Sequence, residues 1–133
     1  MQKIEHIGIA VKDLNASRVL FEKLLNTPCY KTERVEAEKV NTAFFKTGDS
    51  KIELLESEDA GSAIGKFLLN RGEGLHHIAL EVADINAEIL RLKKEGFVFT
   101  KDAPFRGADN KLVIFLHPKS TNGVLIELCQ EII

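Results

Sequence analysis

Apolar and polar residues alternate along the amino-terminal stretch of the chain. Between Ile4 and Val11 the bulky apolar side chains fall on one face of an extended chain, and His6, Gly8 and Ala10 fall on the other. Small residues on the second face leave room for a ligand to approach the backbone. The pattern predicts a strand with one face packed on helices and the other lining a cavity that contains one histidine.

The rest of the chain predicts elements of the same kinds. Asp13 is suited to cap a helix over residues 14–25, and Asp84 is suited to cap a second helix over residues 85–95. A polar break, a short helix at residues 62–70 and a joint rich in glycine separate two halves of the chain. The predicted strands cover residues 4–11, 30–35, 41–47 and 51–56 in the first half, and residues 75–82, 97–100, 112–117 and 123–130 in the second.

The second half repeats the first. LHHIALEVADINA, which begins at Leu75, matches EHIGIAVKDLNA, which begins at Glu5, with six identical positions within eleven at an offset of 71. Further on, LIELC repeats KIELL at an offset of 74 and places Glu127 on Glu53. Each half therefore carries one histidine near its start and one glutamate near its end, as expected of an internal duplication.

This duplication predicts an α+β fold built from two βαβββ modules. Module 1 covers about residues 3–57, a linker helix about 58–73, and module 2 about 74–131. Because 133 residues are too few for two independent globules, we expect a single domain over residues 1–133. In this domain the curved mixed sheets of the two modules would enclose a metal-centred cavity.

The four repeated polar residues are candidates for metal ligands. His6, Glu53, His77 and Glu127 form a set of two imidazoles and two carboxylates, which suits a divalent ion and leaves two open positions on an octahedral one. Each residue alone is more simply a structural histidine or a solvated glutamate. Their repetition opposite the bulky apolar face favours the metal site. By contrast, His76 is expected to be a structural residue or to support a metal ligand without binding the ion, and Glu5 is expected to be a solvated charge.

Composition narrows the range of partners. With 18 basic and 20 acidic residues the net charge is -2, and no basic run is present, so nucleic acid is not an expected partner. No apolar stretch approaches the length of a membrane span, and no amino-terminal signal is recognisable, which predicts a cytoplasmic protein without membrane attachment. Cys29 and Cys129 lack metal-binding spacing and are expected to be reduced.

The duplicated plan with His/Glu pairs resembles the vicinal oxygen chelate superfamily. Within it, the phrases HIGIAVKDL, KIELLE, GEGLHHIALEV and FLHPKSTNGVLIEL resemble the methylmalonyl-CoA epimerase family over essentially the whole chain. The resemblance implies interconversion of the 2R and 2S forms of methylmalonyl-CoA, in propionate metabolism, through a metal-stabilised enolate. It implies a homodimer and one divalent ion, cobalt or manganese in the first place, with nickel, zinc or iron as alternatives.

Carried over by position, the metal ligands of the family fall on His6, Glu53, His77 and Glu127, and Glu127 is the expected catalytic base. Several epimerases carry Gln at the position of Glu53. Some carry a second basic Glu at the position of Thr42, which cannot act as a general base near neutral pH. The second base is therefore open between a metal-bound water and two residues of the preceding loop, Glu36 and Glu38.

Substrate contacts are predicted on two loops of the second half and at Thr42. Arg106, Lys119 and Ser120, with Lys111 beside them, are candidates for holding the phosphates of CoA at the cavity mouth. Ordinary surface charge explains these cations nearly as well. Two other functions stay open: a lyase like glyoxalase I that acts on a glutathione hemithioacetal, and a metal-free module of the same fold that sequesters a ligand.

Overall fold

The computed structural model describes all 133 residues, which fall into two compact units. The first unit contains residues 6–76, and the second contains residues 1–5 together with residues 77–133. Two strands, one at the start of each sequence repeat, cross the boundary between the units. None of the helices is long and apolar enough to cross a membrane.

The first unit has a four-stranded mixed sheet. Its elements are β1 (Lys3–Ala10), α1 (Leu14–Leu25), β2 (Lys31–Val35), a 3₁₀ turn (Glu36–Glu38), β3 (Val40–Thr47), β4 (Ser50–Ser57) and α2 (Ala63–Arg71). The strand order is β2-β3-β4-β1, in which β1 runs parallel to β4 and the other neighbours are antiparallel. The crossover between the parallel strands contains α1 and the β2–β3 hairpin.

The second unit repeats this plan. Its elements are β5 (Gly74–Glu81), α3 (Ile85–Lys94), β6 (Phe105–Arg106), β7 (Lys111–Leu116), a 3₁₀ turn (Pro118–Thr121) and β8 (Ile126–Glu131). The strand order is β5-β8-β7-β6, and again the first strand is parallel to the last. The α+β class and the two βαβββ modules are confirmed, whereas the enclosed cavity and the single domain stay predictions.

One predicted strand is wrong. Residues 97–100 form only an isolated bridge, between Phe99 and Leu116, because the backbone N–H of Val98 donates to the Ser120 hydroxyl instead of to a strand. The edge strand lies later, at Phe105–Arg106, where a tight turn folds it back on β7. Asp109 and Asn110 form this turn with φ of 58° and 56°, values that these two residue types tolerate well.

The two sheets each pack one face on a helix. In the first unit α1 covers an apolar cluster centred on Phe45 and Leu54, and in the second α3 covers one centred on Ile114 and Leu128. The predicted division of the first strand is confirmed, since Ile9 and Val11 belong to the cluster under α1. The opposite faces carry the repeated histidines and glutamates.

Both main helices begin at the predicted aspartates. The Asp13 carboxylate accepts a hydrogen bond from the Ala16 N–H at 3.1 Å, and the Asp84 carboxylate accepts one from the Ala87 N–H at the same distance. Replacing either aspartate by alanine is expected to lower the free energy of unfolding by about 1 kcal/mol, because one helix N–H loses its acceptor. Chemical denaturation would measure this change, and asparagine at the same position, which still accepts, should restore most of the loss.

Candidate metal centre and active site

The first unit brings His6 and Glu53 together. In the β1–β4 ladder Gly8 pairs with Glu53, so His6, two residues earlier, lies on the same face as the glutamate. The Nε2 of His6 is 3.5 Å from the Oε1 of Glu53, and the two side chains are only 7% and 6% exposed. A histidine and a carboxylate thus meet almost fully out of solvent.

The second unit repeats this arrangement with His77 and Glu127. Ala79 pairs with Glu127 across β5 and β8, which places the side chain of His77 on the face of the glutamate. The Nε2 of His77 is 3.4 Å from the Oε1 of Glu127, with side-chain exposures of 3% and 7%. The duplication in sequence is therefore a duplication in local geometry.

The separation within each pair fits two ligands of a divalent ion. Two donor atoms that bind one ion at about 2.1 Å lie roughly 3.0–3.4 Å apart at the angles of octahedral or tetrahedral sites, close to the separation within each pair. Imidazole nitrogens and carboxylate oxygens suit divalent ions of intermediate hardness. His6, His77 and Glu127 are a group that could bind a metal ion.

A phenylalanine stands opposite each glutamate, a feature that the sequence analysis missed. Phe44 pairs with Glu53 in the β3–β4 ladder, and Phe115 pairs with Glu127 in the β7–β8 ladder. The ring of Phe115 also meets that of His77 edge-on, with centroids 5.7 Å apart. These rings cover the carboxylates with apolar surface. The recurrence of Phe in the strand before each Glu was the available signal.

Thr42 lies on the face that carries Glu53, but its hydroxyl is engaged. Thr42 pairs with Leu55 on β4, two residues from Glu53, and its side chain is buried. Its hydroxyl donates to the backbone carbonyl of Glu33 at 2.7 Å. The structure therefore gives Thr42 a role in joining β2 to β3, and a contact with substrate stays a prediction.

The three other substrate-binding candidates all lie in the second unit. Arg106 is exposed on β6 and donates to the Asn110 side chain at 2.9 Å, and Lys119 is exposed in the 3₁₀ turn. The Ser120 hydroxyl accepts from the Val98 N–H at 2.9 Å. Lys111, in contrast, is 5% exposed on β7 and is not a loop residue. A role for any of them in binding CoA stays a prediction.

The two cysteines are free, as expected. Cys129 is buried two residues from Glu127 and donates to the Leu80 carbonyl at 3.6 Å. Burial, with the nearby Glu127 carboxylate as the next cause, raises the pKa of the Cys129 thiol far above its ordinary value. The thiol is therefore protonated at neutral pH, which agrees with a metal site of nitrogen and oxygen donors.

Of the residues that precede the two repeated histidines, Glu5 is buried and His76 is half-buried. Glu5 is 2% exposed, so its interpretation as a solvated charge is wrong; from Glu5 onward no residue of β1 is exposed. His76 meets the ring of Phe67 edge-on, with centroids 5.0 Å apart, as expected of a structural residue. Burial and the neighbouring Arg71 cation lower the pKa of His76 from 6.5 to about 4.

This depressed pKa predicts a loss of stability in acid. The folded protein keeps His76 neutral down to about pH 4, whereas the unfolded chain protonates it below about pH 6.5, so stability present above pH 6.5 falls as the pH drops. Both proteins are compared without metal. Between pH 7 and pH 4 we expect the free energy of unfolding of the native chain to fall by up to about 3 kcal/mol more than that of the His76→Leu variant. Urea unfolding across this range measures the difference, and parallel curves would contradict the assignment.

Comparison with known proteins identifies the class. Residues 5–115 match the Glyoxalase/Bleomycin resistance protein/Dioxygenase superfamily, to which the chain therefore belongs.

The relatives narrow the class further. The ethylmalonyl-CoA/methylmalonyl-CoA epimerase of Cereibacter sphaeroides is 39% identical over 96% of this chain and 97% of its own. Human mitochondrial methylmalonyl-CoA epimerase is 36% identical over 96% of this chain and 73% of its own. A variant of the Streptomyces coelicolor methylmalonyl-CoA epimerase, solved in complex with 2-nitronate-propionyl-CoA, matches with a TM-score of 0.95 and 36% identity over 98% of this chain and 95% of that one. Within the superfamily, the chain belongs to the methylmalonyl-CoA epimerase family.

Proposed function

We propose that this protein is a metal-dependent methylmalonyl-CoA epimerase, in which His6, Glu53, His77 and Glu127 bind one divalent ion. The observation that carries the proposal is the repeated buried His/Glu pair, with separations of 3.5 Å and 3.4 Å that match two ligands of one ion. The activities for which the related epimerases are named supply the substrate. Cobalt or manganese is the metal that the family resemblance favours, and nickel, zinc and iron also accept this mixed nitrogen and oxygen set.

The reaction requires a proton to leave one face of a carbon and another to arrive on the opposite face. The α-hydrogen of methylmalonyl-CoA lies between a thioester and a carboxylate, so its removal leaves an enolate. When bound, a divalent ion would stabilise the negative charge on the substrate oxygens, a contribution of several kcal/mol. Glu127 is the proposed base on one face, because its carboxylate is held at the buried end of β8 beside His77.

The burial of these groups supports their proposed roles. Glu127 is 6% exposed and pairs with Phe115 across β7 and β8, so bulk water has little access to the proposed base. A positioned general base contributes roughly 10²- to 10⁴-fold to the rate.

The homodimeric state, the cytoplasmic location and the single domain over residues 1–133 stay predictions from the sequence.

Proton NMR of methylmalonyl-CoA in heavy water would test this function. We expect the purified protein, stripped of metal and then reloaded with cobalt or manganese, to replace the α-hydrogen with deuterium and to interconvert the two epimers. The stripped protein should do neither. A hemithioacetal of glutathione, offered under the same conditions, should not be converted to a thioester. Absence of exchange with every metal would contradict the epimerase, and conversion of the hemithioacetal alone would favour the lyase.

A further inference from the structure

We propose that Glu33 is the second proton-transferring carboxylate of this reaction, acting on the face of the substrate opposite to Glu127. The inference rests on the proposed function. In each turnover one carboxylate accepts the proton as the carbon–hydrogen bond breaks, and the electron pair of that bond passes into the enolate. The other carboxylate, in its protonated form, then gives a proton to the opposite face of the same carbon, so that protons and electrons balance.

Strand register places Glu33 on the face that carries the metal ligands of the first unit. Glu33 pairs with Thr42 across β2 and β3, and Thr42 pairs with Leu55 across β3 and β4. Residues that pair directly in neighbouring strands share a face of the sheet, and residues two apart on one strand share it too. Glu33 is therefore on the same face as Glu53. It lies two strands away, level with Leu55, which is two residues beyond Glu53 on β4.

A salt bridge joins Glu33 to Lys31, the residue of β2 that is level with Glu53 in the ladder. The Nζ of Lys31 lies 3.2 Å from the Oε1 of Glu33, with both side chains about one third exposed. Lys31 pairs with Phe44, which in turn pairs with Glu53. The carboxylate of Glu33 is thus in contact with the cation of the β2 residue that is level with Glu53, and it keeps enough exposure to exchange its proton with water.

Thr42 positions this carboxylate and does not replace it. The Thr42 hydroxyl donates to the backbone carbonyl of Glu33 at 2.7 Å, which adds a side-chain link to the β2–β3 ladder at this pair. An alcohol is far too weak a base for the proton transfer. The threonine therefore fixes the backbone at Glu33, and the chain carries a carboxylate on the neighbouring strand instead of on β3.

The two loop glutamates considered from the sequence are less well placed. Glu36 and Glu38 lie in the 3₁₀ turn beyond Val35 and Val40, the last pair of the β2–β3 ladder. Residues of α2 pack on this end of the face, in a cluster that includes Val35, Val40, Ile64, Phe67 and Leu68. Glu36 is 79% exposed and pairs with Arg34 at 3.5 Å, on the solvent side of the turn. Apolar side chains therefore lie between this turn and the paired residues Lys31, Phe44 and Glu53.

The test uses Glu33→Gln, which keeps the size of the side chain and removes its basicity. With each epimer supplied separately in heavy water, we expect epimerisation to fall by about 10²- to 10⁴-fold. One epimer should still exchange its α-hydrogen at the native rate with retention of configuration, because Glu127 still serves that face. The other epimer should lose exchange. Metal content should equal that of the native protein, which separates loss of a base from damage to the site.

Glu36→Gln is the matched control and should leave the exchange of both epimers unchanged. Native exchange of both epimers by the Glu33→Gln protein would overturn the inference, and so would an equal loss for both. Failure of the proposed function is distinguishable from either result, because the unsubstituted, metal-loaded protein would then exchange neither epimer.

Discussion

Replacing His77 by alanine is expected to abolish tight metal binding and, with it, α-hydrogen exchange. His77 is buried, its Nε2 lies 3.4 Å from Glu127, and its ring packs roughly perpendicular to that of Phe115. Loss of a partner that merely orients a ligand typically costs 10- to 100-fold in affinity. Loss of the ligand itself should cost at least about 100-fold. Because His6 occupies the equivalent position in the first unit, His6→Ala should give the same result.

Metal analysis after extensive dialysis would measure this loss directly. A second readout is thermal: adding cobalt or manganese should raise the melting temperature of the native protein, since a ligand that binds only the folded state stabilises it. The shift should be absent in His77→Ala. His117→Ala is the matched control, since His117 accepts from the Lys119 N–H at the start of a 3₁₀ turn and belongs to neither His/Glu pair. Native metal content in His77→Ala would rule out this ligand assignment.

Local patterns predicted the parts of this fold that local physics decides. The helix starts at Asp13 and Asp84 follow from a carboxylate placed before an apolar helix, and both caps are present. The alternation in β1 predicted its two faces because side chains in a strand point to opposite sides by geometry. Duplication added the long-range information, since it singled out the same two positions in each half. The two His/Glu pairs could therefore be predicted before any contact was known.

Other features depend on pairing and burial that a single stretch of sequence does not contain. β6 forms because the turn at Asp109–Asn110 brings it back beside β7. It is only two residues long, so its sequence is too short to show the alternation that predicts a strand. The burial of Glu5 depends on what covers β1, and a charged residue in a strand favours exposure when read alone. Glu33 belongs to the same class: only the register of three strands places it on the face of Glu53.

Glu127→Gln tests the other carboxylate that we propose as a base. Glutamine keeps an oxygen that can bind a metal ion but cannot accept the α-proton, so metal content should stay near that of the native protein. Epimerisation should fall by about 10²- to 10⁴-fold. Glu53→Gln makes the same change in the equivalent pair of the first unit. Resemblance to epimerases with Gln at this position implies that it keeps activity within about tenfold, and equal losses in the two variants would mean that Glu127 acts only as a ligand.

The sharpest form of this prediction compares the two proposed bases. If each serves one face of the substrate, Glu127→Gln should retain exchange of the epimer that Glu33→Gln loses, and should lose exchange of the epimer that Glu33→Gln retains. A ligand defect or a general loss of fold would slow both epimers together, so neither can produce this reciprocal pattern. Loss of the same epimer in both variants would place the two carboxylates on one face and exclude a mechanism with two opposed bases.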